Sequence, residues 1–204
     1  MRLSWEKDLQ DDKKLHLYLD KQYWKTVHRS IFRRPKQILP TFETLEAYEQ
    51  AFPEIEQRQA KTYTLYLLCR KAYLSTEIRK RLEEKLVSKN SSQFVIEELS
   101  QLGYIDDAAY LKSFIESQLR KKKGPKWIEG KLWQKGVSPQ EITQALAQYA
   151  GKPLQEDGIA ALLERRYKKQ DLSDYSVRQK ATAFLMRRGY CWDDIQNALS
   201  KQNT

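Results

Sequence analysis

The chain is poor in the residues that punctuate and cross-link small folds. Among 204 residues there are two cysteines, two histidines, seven glycines and six prolines. Cys69 and Cys191 stand far apart, with no CxxC and no Cys/His cluster, which excludes a disulfide framework and a zinc knuckle and fits a reducing cytosol. So few turn formers argue against a sandwich, which needs a turn signal roughly every 8–12 residues. No apolar run approaches the roughly 20 residues that span a bilayer. The longest, Leu65-Tyr66-Leu67-Leu68-Cys69, is a buried helix turn at most, and the first residues lack the apolar core of a signal peptide. The sequence therefore predicts a helical, cytoplasmic protein without membrane contact.

Charge is abundant but unbalanced. Lys and Arg number 37 against 27 Asp and Glu, a net +10. Residues 1–62 hold 12 basic and 10 acidic side chains, and the remainder holds 25 and 17. A basic surplus of this kind suits a polyanion or an acidic partner surface, although solvated helix faces carry the same residues.

The first 56 residues read as an extension. Leu15, Leu17 and Leu19 alternate with His16 and Tyr18, which predicts a strand, and Asp20-Lys21 can turn the chain into a second strand over 22–27. A connector with Pro35 and Pro40 follows, then a short acidic helix from Thr44 that Pro53 should interrupt.

Beyond residue 56 the sequence repeats itself. Leu132, Gly136, Val137, Ile142, Ala145 and Leu146 match Leu185, Gly189, Tyr190, Ile195, Ala198 and Leu199 position for position. The leucine closes a helix, the glycine suits a left-handed cap, and the next apolar residue packs back on the helix end. Ser138-Pro139-Gln140-Glu141 then reads as a capping box that starts the next helix. Cys191 takes the place of Ser138 in the last copy. A degenerate first copy has Leu82, Leu86 and Val87, with leucine for glycine and a looser turn expected over Ser88–Ser92. Three modules of three helices follow, at 57–102, 103–151 and 152–204. The fold class expected is all-α: an elongated, curved tandem array behind a small N-terminal β-hairpin.

The ordered set of these features resembles the RecX regulatory proteins. It comprises the three-helix repeat, Leu102-Gly103-Tyr104-Ile105-Asp106-Asp107, the loop Lys121-Lys122-Lys123-Gly124-Pro125-Lys126, and Phe184-Leu185-Met186-Arg187-Arg188-Gly189-Tyr190 followed by Asp193-Asp194-Ile195. Arg70 to Leu82, with Ser75 ahead of Thr76-Glu77-Ile78-Arg79, matches the start of the first module. The resemblance covers about residues 60–200. It implies a modulator of RecA that binds the recombinase filament on single-stranded DNA and restrains growth, ATP turnover, strand exchange and co-protease activity. It implies no catalytic residues and no cofactor, and a monomer is expected.

The candidate contact residues are the densest basic groups. Arg120, Lys121, Lys122, Lys123 and Lys126 crowd one helix junction beyond what a helix dipole needs. Arg165, Arg166, Lys168 and Lys169 flank Tyr167, a core residue. Arg187 and Arg188 precede a glycine cap, where the dipole alone can account for them. Arg79 and Arg81 are placed early in a helix, where cations oppose the dipole and a partner would justify them. Trp127 and Trp133 share a helix, and one of the two should be exposed enough to act as a contact hot spot.

Asp106-Asp107 and Asp193-Asp194 fall at helix starts, so they read as caps, not as metal ligands. His16 and His28 read as surface or edge residues with no catalytic partner. No phosphate-binding, dinucleotide, nucleophile-elbow or zincin motif occurs. The chain is expected not to be an enzyme. A second reading is a sequence-nonspecific DNA- or RNA-binding protein acting through its basic face.

Overall fold

A computed structural model describes residues 1–35, 39–149 and 153–201, with side chains omitted over 153–157. The middle of the expected connector, 36–38, and the expected junction at 151/152 lie outside the described residues. The chain forms two compact units, Met1–Asp107 and Ala108–Thr204.

The first unit opens with three antiparallel strands in the order β1 (Leu3–Lys7), β2 (Lys14–Leu19) and β3 (Gln22–His28). The β2–β3 hairpin turns through Asp20 and Lys21 at φ 47° and 70°. Positive φ at both turn residues matches the right-handed strand twist. Leu15, Leu17 and Leu19 are all buried, as their alternation requires. β1 is an added strand: LSWEK has no clean alternation, and its register comes from pairing, with Leu3 opposite Leu19 and Trp5 opposite Leu17. The sheet docks through Leu15, Leu17 and Val27 on a core shared with Phe32, Phe52 and Ile55. The Trp24 ring meets Tyr48 and Phe52 edge-on at 5.4 and 5.3 Å.

Among the described residues three helices follow in this unit: α1 (Leu45–Leu68), α2 (Ser75–Glu83) and α3 (Lys89–Gln101). The expected break at Pro53 is absent, and α1 runs through it. An internal proline costs roughly 3 kcal/mol in lost bonding and ring clash. Tyr48 and Phe52 before it and Ile55 after it are all buried in α1. Each such side chain contributes roughly 1.5–3 kcal/mol, enough to hold the helix together across the proline.

Among its described residues the second unit holds six helices: α4 (Asp107–Arg120, whose first residue closes the first unit), α5 (Pro125–Gln134), α6 (Pro139–Ala147), α7 (Pro153–Tyr167), α8 (Tyr175–Arg187) and α9 (Trp192–Lys201). Ser138 caps α6 as expected: its Oγ accepts from the Glu141 amide, and the Glu141 carboxylate accepts from the Ser138 amide. The Ser138 hydroxyl also donates to that carboxylate at 2.6 Å, and this bond first, then the one from the Ser138 amide, holds the Glu141 carboxyl below the usual carboxylate range.

The repeated leucine–glycine signal is one hydrogen-bonded device. Gly136 and Gly189 sit at φ 85° and 88°, and the amides of Val137 and Tyr190 bond back to the carbonyls of Leu132 and Leu185, each at 3.2 Å. This is the six-to-one closure of a Schellman cap. Gly103 follows the same rule at φ 75°, with Tyr104 bonding to Leu99. The first copy is not looser. Leu86 itself adopts φ 59°, Val87 bonds to Leu82 at 3.0 Å, and α3 begins at Lys89 under a Ser88 cap. Closure by the flanking leucine and valine, both buried, forces the non-glycine residue into the left-handed region.

Candidate functional site

The α4–α5 junction and the end of α8 form one structure. Gly124 donates its amide to the Arg188 carbonyl at 2.8 Å, and Lys126 donates to Gly189 at 3.0 Å. The backbones meet so closely that a Cβ on Gly124 would lie 2.3 Å from the Gly189 carbonyl carbon. A Cβ on Gly189 would lie 2.3 Å from the Trp127 nitrogen. The Arg188 guanidinium reaches back to donate to the Lys121 carbonyl at 3.3 Å.

This contact gathers charges separated by more than 60 residues. Lys121, Lys126 and Arg187 are exposed, whereas Lys122, Lys123 and Arg188 are half-buried along the junction. Lys122 takes the left-handed cap position after α4 at φ 58°, with the Lys123 amide bonded to Gln118. Arg166 joins the same neighbourhood: its guanidinium and that of Arg188 lie 4.5 and 5.4 Å from the Phe184 ring. Arg120, Arg165, Lys168 and Lys169 are exposed at the ends of α4 and α7. None of these cations is ion-paired with a carboxylate among the described side chains. Beneath them, burial pushes the Tyr190 hydroxyl up to about 12, so it stays protonated at neutral pH.

Trp127 is the half-buried member of the tryptophan pair. It packs on Gly189, with Lys123 over its ring at 4.4 Å and Lys131 at 5.7 Å. Trp133 is the exposed one, at 67%. Aromatic rings under ammonium groups hold those cations on the surface at little entropic cost.

Arg79 and Arg81 lie in the first unit. Arg79 donates to Gln93 at 2.8 Å, and Arg81 and Lys71 lie 4.9 and 4.5 Å from the centre of the Tyr73 ring. α2 ends at Glu83, so Arg81 falls in its last turn, where the dipole favours a cation. The dipole argument for a partner at Arg81 therefore drops out.

Of the two aspartate pairs, one supplies a cap across elements and the other lies in a helix's first turn. Asp107, in the first turn of α4, accepts from the amide and the hydroxyl of Ser75 and so caps α2. Asp193 and Asp194 occupy the first turn of α9. Among the described residues no group of three His, Cys, Asp or Glu could hold a metal. His16 bonds Thr26 and Asp8 through its two ring nitrogens. His28 differs from expectation: it is 5% exposed, its Nδ1 accepts from the Ser30 amide, and Lys85 stands 3.4 Å from its Nε2. The turn after β3 folds it inward beside Ile31 and Phe32.

Joining of the two basic segments was not legible in sequence. Gly124 needs no glycine for its φ of −79°, so only the approach of another backbone explains it. An apparently unnecessary glycine before a proline was the sole signal.

The sequence matches the second three-helix domain of RecX over residues 106–146 and the third over 155–199. Curated relatives named Regulatory protein RecX include one from Pelodictyon phaeoclathratiforme, 32% identical over 145 residues, covering 69% of this chain and 86% of that protein. Another, from Legionella pneumophila, is 31% identical and covers 67% and 90%. The fold is shared with the crystal structure of RecX from Lactobacillus salivarius, at a TM-score of 0.65 and 22% identity over 72% of this chain and 97% of that one. A further crystal structure of a regulatory protein RecX aligns over 95% of both chains, with a TM-score of 0.62 and 24% identity. No helix among the described residues is long and apolar enough to cross a membrane. The chain belongs to the RecX family of regulatory proteins.

Proposed function

We propose that this protein is a cytoplasmic, monomeric negative regulator of RecA that binds the filament on single-stranded DNA. It restrains filament extension, ATP hydrolysis, strand exchange and co-protease activity, and so tempers recombinational repair and the SOS response. The observation that carries the reading is the basic junction, where the Gly124–Gly189 backbone contact brings Lys121, Lys122, Lys123, Lys126, Arg187 and Arg188 together without carboxylate partners among the described side chains. Such a cluster suits an acidic protein surface or a run of phosphates. The division at 57–102, 103–151 and 152–204 is part of the same reading, supported by the recurring cap. Separate modules touching successive protomers of a polymer would add weak contacts through effective concentration.

The test is single-stranded-DNA-dependent ATP hydrolysis by RecA, with the protein titrated below stoichiometry against a charge-matched basic control. Inhibition by far fewer molecules than RecA protomers, absent with the control, supports filament regulation. Equal effects from both proteins, erased by excess bare DNA, overturn it in favour of sequence-nonspecific nucleic-acid binding through the basic face. Unpaired lysines on that face favour this second reading, whose affinity falls steeply with salt whether or not RecA is present.

A further inference from the structure

The first unit carries a cleft outside the basic junction, of about 350 Å³. That is within the range of small-molecule sites, roughly 300–1,000 Å³. One wall is a stripe of α1, Gln59, Thr62, Tyr63 and Tyr66, whose spacing of three and four places them on one helix face. The facing wall is the turn after β3, with Ser30 and Arg33. Among the described residues lining it, none is acidic.

Tyr66 is an unusual side chain to leave in water. It is 54% exposed, yet the Arg70 guanidinium lies 4.5 Å from its ring centroid, just past the end of α1. The cation braces the ring and leaves aromatic surface open to the cleft. Beside it, the half-buried Tyr63 has its hydroxyl pushed above the ordinary tyrosine value by burial, so it remains a hydrogen-bond donor at neutral pH. The Thr62 hydroxyl donates to the Arg58 carbonyl and keeps its lone pairs for an incoming donor. Arg33 is exposed at the rim. A flat ring, the Tyr63 and Thr62 hydroxyls beside it (the first already bonded by Arg81, the second to Arg58) and a cation at the edge match a nucleobase with its phosphate.

The other aromatic surface of this unit fits such a ligand less well. On the sheet, His16, Tyr18 and Tyr23 form a ring cluster with centroids 6.0 and 6.1 Å apart. Asp8 bonds His16 there, and Glu6 pairs with it across the strands. Carboxylates at that edge repel a phosphate, whereas the described lining of the α1 cleft holds Arg33 and no carboxylate, with Arg70 against the Tyr66 ring beside it.

We infer that the cleft between α1 and the turn after β3 is a single-stranded nucleic-acid subsite, in which one base stacks on Tyr66 and its phosphate meets Arg33. This goes beyond the basic junction and does not depend on it. A base in a duplex hides its faces in the helical stack, so the subsite selects single strands.

The test uses the full chain and a fluorescein-labelled oligodeoxyadenylate of about 12 nucleotides, in the range of known single-strand site sizes. Base–aromatic stacking is strong enough that Tyr66→Ala should weaken anisotropy-monitored binding about fivefold or more. Tyr66→Phe keeps the ring and should bind within about twofold of wild type. Arg33→Ala should lower the salt slope by about one phosphate contact. A 5-iodouracil-substituted strand should photocrosslink to Tyr66. Unchanged binding by Tyr66→Ala with normal circular dichroism, or crosslinks confined to the second unit, overturns the proposal. A Tyr66-dependent dAMP signal equal to that of the oligonucleotide also overturns it, because the ligand is then a free nucleotide.

Discussion

Helices in the two units end with the same bond but not always with the same residue: Gly103 and Lys122 show that each unit uses both a glycine and a non-glycine cap. In the first unit Leu86 closes α2 at φ 59°, whereas in the second Gly136 and Gly189 close α5 and α8 at 85° and 88°. The bond from Val87 to Leu82 is as short as its counterparts. Backbone closure therefore does not require glycine; it only makes closure cheaper. What does require glycine is the Gly124–Gly189 contact, where two backbones touch and any side chain would overlap. Strain spent on a cap is tolerable where solvent lies beyond it, and intolerable where another helix does.

The largest effect should follow from filling that contact. Gly189→Ala meets both the left-handed backbone and the Trp127 nitrogen, and Gly124→Ala meets only the opposing backbone. Each should destabilise the second unit by about 3 kcal/mol or more, since neither neighbour is a flexible side chain. Urea unfolding followed by amide exchange in α8 measures this, and a loss under about 1 kcal/mol would show that the two loops separate easily. Next comes the junction's charge. Reversing Lys121, Lys122 and Lys123 to Glu should weaken filament binding about tenfold or more, as expected for several lost charge contacts, with melting unchanged. Normal inhibition by that folded triple variant would remove this loop from the interface.

Smaller effects separate cap from contact. Gly103 sits at φ 75° with nothing within 4 Å of an added Cβ. Gly103→Ala should therefore cost only the left-handed penalty, about 1 kcal/mol. A cost matching that of Gly189→Ala would dissolve the distinction between the two glycines. Leu86→Gly runs the comparison backwards. Releasing a leucine from the left-handed region gains about 1–2 kcal/mol, and the extra freedom of glycine in the unfolded chain returns about half of that. The variant should be slightly more stable than wild type.

The pattern of correct and missed readings follows the range of the forces involved. Local signals were legible: Leu15, Leu17 and Leu19 marked a strand, Gly136 and Gly189 marked caps, and Ser138 with Glu141 marked a helix start. Each depends on neighbours within five residues. β1 was missed because its place is set by pairing with β2, and LSWEK carries little pattern of its own. Pro53 was misread because burial of Tyr48, Phe52 and Ile55 overrides a local breaker. Of the candidate site, the basic residues were visible one segment at a time. Their assembly was not, because it rests on a backbone contact between residues 124 and 189 that leaves no charge or hydropathy signature.

His28 provides the smallest and most local test of how the first unit differs from the second. Its ring is held neutral in the fold, first by burial and then by the Lys85 ammonium, so its pKa lies below the ordinary 6.5. The Ser30 amide already occupies Nδ1, and a protonated ring would lose that acceptor and face Lys85 as a second cation. Above about pH 6.5 neither the folded nor the unfolded chain carries the proton, and His28 contributes no pH dependence. As pH falls below that value the unfolded chain takes up a proton that the fold refuses. Stability then declines until the folded pKa is passed. Melting of the first unit should drop as pH falls below about 6.5 in wild type, and the drop should shrink in His28→Asn, whose amide oxygen can still accept from Ser30. Lys85→Gln should give an intermediate slope, because burial remains when the cation is gone. Equal slopes in wild type and His28→Asn would mean that the ring takes its proton in the fold as readily as in the open chain.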